Sequence, residues 1–356
     1  MKPRVVIVDD STAMRGVMRA LLCDEGRVDV VGEASNGDDA VERVRELAPD
    51  VVTMDVLMPG LDGISCVEQI MAEAPTRVLV VSSAVETEGA ALSIRAVAAG
   101  ALEVIAKPAS NAGPIDVRRW GRSLAESIAL MAEVPVITRR TGSHPRLRPP
   151  APSAHAHARP GQFVDVIAIA ASTGGPPALA SLLSALCKMA PQSRAPIVVA
   201  QHLAEGFSAG MARWLGEATR MRVVVAAPSM RAEPGCAYIA PDGRDVVVAA
   251  ATPASGLVLD TPPPEGAHRP SADRLLTSVA AMCGGSAAGV VLTGMGDDGA
   301  VGLRALRERG AATFAQTPSS CVVAGMPSAA IALGAATDVL DIDAIAAALA
   351  PLVRAV

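Results

Sequence analysis

Aromatic residues are nearly absent from this 356-residue chain: two tryptophans, one tyrosine and three phenylalanines, 2% of the whole, against 51% hydrophobic residues. Its cores must be built from valine, isoleucine, leucine and alanine, as in proteins that alternate strands with helices. Closely spaced cysteines are lacking too. Cys23, Cys66, Cys187, Cys236, Cys283 and Cys321 lie far apart with no C-x-x-C pair, so they read as small buried hydrophobes in a reducing compartment rather than as a disulfide framework. No run reaches the roughly 18 apolar residues of a membrane span. The opening MKPRVVIVDD is too short for a signal-peptide core, because two aspartates end its apolar run. A cytoplasmic location without direct membrane insertion is expected. Nor is there an excess of basic residues: Lys and Arg number 31 against 36 Asp and Glu, a formal net charge of −5, which argues against a general nucleic-acid binder.

The length points to two domains, and one segment separates them. Residues 135–162, PVITRRTGSHPRLRPPAPSAHAHARPGQ, replace periodic apolar residues with prolines, arginines and small residues. Such a stretch buries too little surface to offset its ordering entropy and reads as a linker. Its His155 and His157 form an H-x-H pair able to bind a metal weakly, although a solvated linker explains them as well. Charge follows the same division: residues 1–125 carry 13 basic against 19 acidic residues, and residues 126–162 carry 5 against 2. The expected domains are therefore 1–125 and 163–356, joined by a Pro/Arg-rich linker over 126–162.

In the first half, five short apolar runs, RVVIVDD, VDVVGEA, PDVVTMD, TRVLVVSS and LEVIAKP, alternate with amphipathic stretches such as SCVEQIMAEAP. That pattern predicts a parallel sheet with helices on both faces. Polar residues fall at the carboxyl ends of four runs: Asp9 and Asp10, Asp55, Ser82 and Ser83, and Lys107. Open α/β sheets bind their ligands at that rim. Three carboxylates crowded there repel one another, and a hard cation such as Mg²⁺ offsets the repulsion through oxygen ligation. A lysine opposite can hold a phosphoryl oxygen, a serine can hydrogen-bond another, and Asp55 is the natural acceptor.

This half resembles the receiver domain of two-component response regulators. The resemblance implies a doubly wound, five-stranded, flavodoxin-like parallel sheet and phosphorylation of Asp55 by a histidine kinase. It further implies Mg²⁺ held by Asp9, Asp10 and Asp55, with Ser82 and Lys107 reading the phosphoryl group. It also implies a cis bond at Lys107–Pro108, an isomer accessible at X–Pro steps. Val104 stands where the family often carries a Tyr or Phe switch residue.

In the second half, three apolar runs end in reactive residues. VIAIAA is followed by Ser172, APIVVAQ by His202, and AAGVVLTGMGDDG delivers Asp297 and Asp298. A serine hydroxyl needs a neighbouring base to take its proton, a histidine titrates near neutral pH and can do so, and a carboxylate fixes the imidazole tautomer. Glycines beside the serine let a substrate approach, and free backbone N–H groups can stabilise an oxyanion. His268, in HRPSAD, is a rival base or a substrate-side or helix-start residue.

A different reading makes STGGP a phosphate cradle. A dinucleotide fingerprint needs G-x-G-x-x-G with an acidic residue about 20 positions on. Here the spacing differs and the second strand ends in Gln201-His202, and no G-x-x-x-x-G-K-[ST] is present. A third reading leaves Ser172 as a helix cap and His202 as a structural histidine.

ASTGGP, VVAQH, HRPSAD, VVLTGMGDDGAVGL and AQTPSSCVVAGMP resemble the chemotaxis protein-glutamate methylesterase (CheB) family over about residues 163–352. The resemblance implies an α/β catalytic domain with a mostly parallel sheet, preceded by a receiver and linker. Ser172 matches the nucleophile and His202 the base. The family's fixed aspartate falls on Asp298, with Asp297 at the variable position; residue chemistry alone does not separate these two. Thr173 and the Met295 backbone are the implied oxyanion or substrate contacts, and His268 stays a candidate on the substrate side from its own position in HRPSAD. The implied activity is hydrolysis of glutamyl γ-methyl esters on methyl-accepting chemoreceptors, with release of methanol, together with deamidation of receptor glutamines. The implied esterase step needs no cofactor, and Mg²⁺ belongs to the receiver. The alternative is a response regulator with a non-catalytic, nucleotide- or nucleic-acid-binding output.

Overall fold

The computed structural model describes residues 1–58, 63–83, 87–109, 111–134, 163–190, 195–252, 254–266 and 268–353, without the side chains of 87–91 and 98. His155, His157 and the segment 135–162 lie outside the described residues. The chain divides into two compact units between Arg146 and Leu147.

The first unit alternates β1 (Arg4–Val8), α1 (Thr12–Glu25), β2 (Asp29–Ala34), α2 (Gly37–Leu47), β3 (Val51–Met54), α3 (Gly63–Glu73), β4 (Arg77–Ser82), α4 (Thr87–Ala99), β5 (Glu103–Ala106) and α5 (Pro114–Met131). The sheet is parallel throughout, in the order β2-β1-β3-β4-β5, the flavodoxin-like arrangement. β1, β3 and β4 are buried along almost their whole length, which is why they read as continuous apolar runs rather than alternating ones. Each fully buried Val, Ile or Leu among them stabilises the fold by about 1.5–3 kcal/mol. Ser11 caps α1 by accepting the Met14 N–H, and Asn36 caps α2 by accepting the Asp39 N–H; both start helices just past the strand ends, so the β–α turns face one rim.

Two expectations are corrected here. α5 runs on past residue 125 to Met131, and Ile128, Met131 and Val134 are buried. The Val134 carbonyl also accepts a 2.6 Å hydrogen bond from the Arg77 guanidinium. The core of the first unit thus extends through residue 134, because its last helix needs those side chains to cover the sheet. Lys107–Pro108 is not cis; among the described residues the cis peptide bond is Arg269–Pro270.

The second unit contains β6 (Val166–Ala171), α6 (Gly175–Met189), β7 (Ile197–Gln201), α7 (Ser208–Thr219), β8 (Arg222–Val225), β9 (Met230–Arg231), β10 (Cys236–Ile239), β11 (Val247–Thr252), β12 (Gly256–Asp260), α8 (Ala272–Cys283), β13 (Ala287–Val291), α9 (Ala300–Glu308), β14 (Ala312–Gln316), α10 (Gly325–Ala332), β15 (Asp338–Leu340) and α11 (Ile342–Leu349). Seven strands form one parallel sheet in the order β15-β14-β13-β6-β7-β10-β8, while β11, β12 and β9 pair antiparallel in a small separate sheet. β6, the first strand, lies between β13 and β7. The chain order reverses there, at the crevice where open α/β sheets bind ligands. No helix among the described residues is long and apolar enough to cross a membrane.

Candidate active site

Register brings three distant residues together. Ala171 pairs with Gln201, and Val291 with Ala170. The ladder continues one step beyond the strands: the His202 N–H donates to the Ala171 carbonyl at 3.0 Å, the Leu292 N–H to Ala170 at 2.9 Å, and the Ser172 N–H to Thr293 at 3.0 Å. Ser172 and His202 are therefore lateral neighbours at the carboxyl rim, and the 294–299 loop folds back over them.

His202 stands between the other two groups. Its Nδ1 lies 3.2 Å from Ser172 Oγ and its Nε2 2.8 Å from Asp298 Oδ2. The tautomer that donates Nε2–H to Asp298 leaves the Nδ1 lone pair facing the hydroxyl. The ring is used the opposite way round from the serine-protease template, where Nε2 faces the serine; the geometry is equivalent because either nitrogen can accept. Ser172 is 9% exposed and Asp298 3%, so both groups are shielded from bulk solvent.

The start of α8 holds Asp298. Its Oδ2 accepts the Ala272 N–H at 2.7 Å and its Oδ1 the Asp273 N–H at 2.8 Å, using the unpaired donors of a helix N-terminus. Burial pushes the Asp298 carboxyl up, but the His202 hydrogen bond and these two N–H groups outweigh it and hold the group below its ordinary value. Asp297 next to it is exposed. Burial and the helix start thus separate two residues that sequence left equivalent.

Three polar side chains that the motifs did not single out fix the loops. Gln201 Nε2 donates at 2.9 Å to the carbonyls of both Ser172 and His202. Thr293 Oγ1 donates to the Thr173 carbonyl at 2.9 Å and accepts the Val323 N–H at 3.0 Å, while its N–H reaches Gln316 Oε1 at 2.8 Å. The signal for them was a polar residue closing a buried apolar run. Gly174 has φ +75°, and a Cβ there would lie 2.6 Å from Val322 Cβ, so the turn after Thr173 requires glycine. Among the described residues, the Thr173 and Met295 N–H groups donate to no backbone acceptor. Thr173 is buried and Met295 is 42% exposed. His268 is not at a helix start: α8 begins at Ala272 with Ser271 as its cap. Its ring stacks on that of His202.

In the first unit, Lys107 Nζ lies 2.5 Å from Asp55 Oδ2 and 2.7 Å from Asp9 Oδ2. Carboxylate oxygens of Asp9, Asp10 and Asp55 fall within 4.8 Å of one another. Burial raises the Asp9 carboxyl, outweighing Lys107 and the Ser11 N–H. Burial alone would lower the Lys107 ammonium, but Asp55 and Asp9 hold it above its ordinary value. Three carboxylates facing one ammonium leave negative charge that a hard, oxygen-ligated divalent cation would offset, so the donor set fits Mg²⁺. Ser82 is fully buried at the end of β4, and its Oγ has no hydrogen-bond partner among the described residues. Val104 packs half-buried on the core from β5.

A receiver fold with this acidic cluster and an α/β unit presenting Ser172, His202 and Asp298 in line define a response regulator with a hydrolase output. Residues 167–349 match the CheB methylesterase family and residues 5–113 the response regulator receiver domain family. A Myxococcus xanthus protein named protein-glutamate methylesterase/protein-glutamine glutaminase 3 is 48% identical over 329 residues, covering 92% of this chain and 87% of that one. A protein of the same name, numbered 4, from Geobacter metallireducens is 40% identical over 351 residues, 98% of each. The crystal structure of the Thermotoga maritima CheB methylesterase catalytic domain superimposes with TM-score 0.50 at 31% identity, covering 53% of this chain and 99% of that one. The chain belongs to the CheB methylesterase family.

Proposed function

We propose that this chain hydrolyses glutamyl γ-methyl esters on methyl-accepting chemoreceptors in the cytoplasm, releasing methanol, under control of phosphorylation at Asp55 by a chemotaxis histidine kinase. Residues 163–356 carry the esterase, and the first unit is the receiver. The observation that carries this reading is His202, whose two ring nitrogens face Ser172 and Asp298.

The chemistry follows from that line. Ser172 Oγ attacks the ester carbonyl as its proton passes to His202 Nδ1, and Asp298 stabilises the imidazolium. The Thr173 and Met295 N–H groups stabilise the tetrahedral oxyanion. The bond to the methoxy group then breaks, the Nδ1 proton goes with it, and methanol leaves. Water, deprotonated by the same nitrogen, hydrolyses the acyl-enzyme to glutamate and returns the proton to Ser172. With a glutamine substrate the leaving group is ammonia, which gives deamidation. In the receiver, Asp9, Asp10 and Asp55 would hold Mg²⁺, which would supply charge compensation at the phosphoryl group. Lys107 and Ser82 are the groups placed to bind its oxygens.

Methanol release from methylated chemoreceptor membranes tests the reading. A phosphodonor with Mg²⁺ stimulates the wild type about fivefold or more, a typical coupling, and leaves Asp55→Asn unstimulated. Absence of methanol from the wild type under both conditions rules the function out. A second expectation concerns the loop: a Cβ on Gly294 would lie 2.7 Å from Ser172 Cβ and overlap Met326 Sδ. Gly294→Ala displaces the serine and lowers turnover about a hundredfold. Turnover within twofold of wild type in that variant would contradict the packing.

A further inference from the structure

The His268 imidazole lies face to face with that of His202, with ring centroids 5.3 Å apart and planes inclined by 2°. Its Nδ1 is 3.8 Å from Asp298 Oδ2, the oxygen that bonds His202 Nε2 at 2.8 Å. The His268 side chain is 45% exposed and that of His202 17%, so His268 is the outer ring of the pair. A Cβ on Gly296 would come to 4.0 Å from His268 Nε2, so the ring extends from Asp298 to the 294–299 loop.

The segment that carries His268 is fastened on both sides by Asp245. This fully buried carboxylate accepts the Ser271 N–H at 2.7 Å, the Glu265 N–H at 3.3 Å and the Arg274 guanidinium at 2.8 Å. Arg274 also donates to the Pro263 carbonyl at 2.7 Å and to Glu265 at 2.8 Å. A buried carboxylate that bonds both ends of a surface loop restrains the ring it presents, because releasing either N–H gives up a hydrogen bond to a buried anion.

We propose that His268 is a positioning residue of the esterase: its neutral ring keeps the His202 imidazole in the plane that joins Ser172 to Asp298, and its protonation closes the site. The proposal rests on the reading of His202 as the base. As His202 takes the Ser172 proton it becomes a cation. A neutral ring stacked on it tolerates that charge, whereas an imidazolium 5.3 Å away repels it and draws on the same Asp298 oxygen. The other charges around the pair are Asp298 and Asp297 in the 294–299 loop, Asp273 in the first turn of α8, Arg269 beside His268, and the Asp245, Arg274 and Glu265 cluster beyond it.

The test is the rate at which a fluorophosphonate labels Ser172 in the full chain between pH 5.5 and 8.5, for wild type, His268→Phe, His268→Ala and His202→Ala. At pH 8, His268→Ala is slower than wild type by about tenfold, and His268→Phe, which keeps a flat ring, recovers part of that loss and labels faster than His268→Ala. Between pH 8 and pH 6 the wild type loses about twofold or more rate beyond what His268→Phe loses, since only the wild type has the second imidazole. A merely structural histidine would not make the profile depend on that exchange. The proposal is overturned if the two profiles coincide, or if His268→Ala labels at the wild-type rate. Equal labelling of wild type and His202→Ala would instead remove the base, and the proposal would fall with that reading.

Discussion

Ser172→Ala lowers methanol release from methylated receptor membranes by about 10⁴-fold or more, leaving a residue of catalysis from the oxyanion donors and substrate binding. The size follows from the loss of the hydroxyl that faces His202 Nδ1. Two neighbouring hydroxyls donate elsewhere: Thr293 Oγ1 to the Thr173 carbonyl and Ser271 Oγ to Asp298 Oδ1. The fold survives the change, because Ser172 Oγ makes a single side-chain hydrogen bond, to His202. Its backbone N–H and carbonyl remain tied to Thr293 and Gln201. An unchanged thermal midpoint together with lost turnover is the expected pair of results. If the variant released methanol as fast as the wild type, Ser172 would not be the nucleophile, and the glycines after it would again have to be explained as a phosphate cradle.

Asp298→Asn lowers turnover by about 10⁴-fold, and it does so through the tautomer. The carboxylate accepts from His202 Nε2, the Ala272 N–H, the Asp273 N–H and, at 3.4 Å, the Ser271 hydroxyl. An asparagine has one acceptor oxygen, which the helix N–H groups claim, so its NH₂ turns toward His202. Nε2 must then accept, the proton moves to Nδ1, and the nitrogen facing Ser172 can no longer take a proton. Stability responds as well. The folded Asp298 carboxyl lies below its ordinary value, so its contribution is present above the unfolded value near pH 4 and is lost as the pH falls through the folded one. The variant is therefore less stable than wild type at pH 7, by about 1–3 kcal/mol, and the difference narrows in acid as the carboxyl takes up its proton. Thermal unfolding at pH 7 and in acid measures it. A gap that persists in acid would mean that shape rather than charge holds the helix start.

The receiver was legible almost entirely. Its five apolar runs coincide with β1 to β5, and Asp9, Asp55, Ser82 and Lys107 sit at strand ends, because a parallel sheet covered on both faces writes its strands as uninterrupted Val and Ile. The second unit was legible only in part. β6, β7 and β13 stood out as apolar runs, but Arg222–Val225, Cys236–Ile239 and Asp338–Leu340 are too short, or too mixed in burial, to announce themselves. The end of the first unit also escaped notice, since the charged face of α5 hides Ile128 and Met131.

Sequence by itself determined which residues can do chemistry: a serine, a histidine and two adjacent aspartates, each following an apolar run, with glycines where a side chain would collide. Residue type and local pattern carry that information, because reactivity belongs to the side chain and strand ends follow from hydrophobic periodicity. Only the tertiary structure decided which of them meet. The strand order β13-β6-β7 sets positions 172, 202 and 298 side by side, and the start of α8 selects Asp298 over Asp297 by offering it two N–H donors. His268, far along the chain and in no regular element, reaches His202 through a loop anchored by the buried Asp245. Such proximity depends on non-local pairing and on buried charge finding its partners, neither of which any short window of sequence contains.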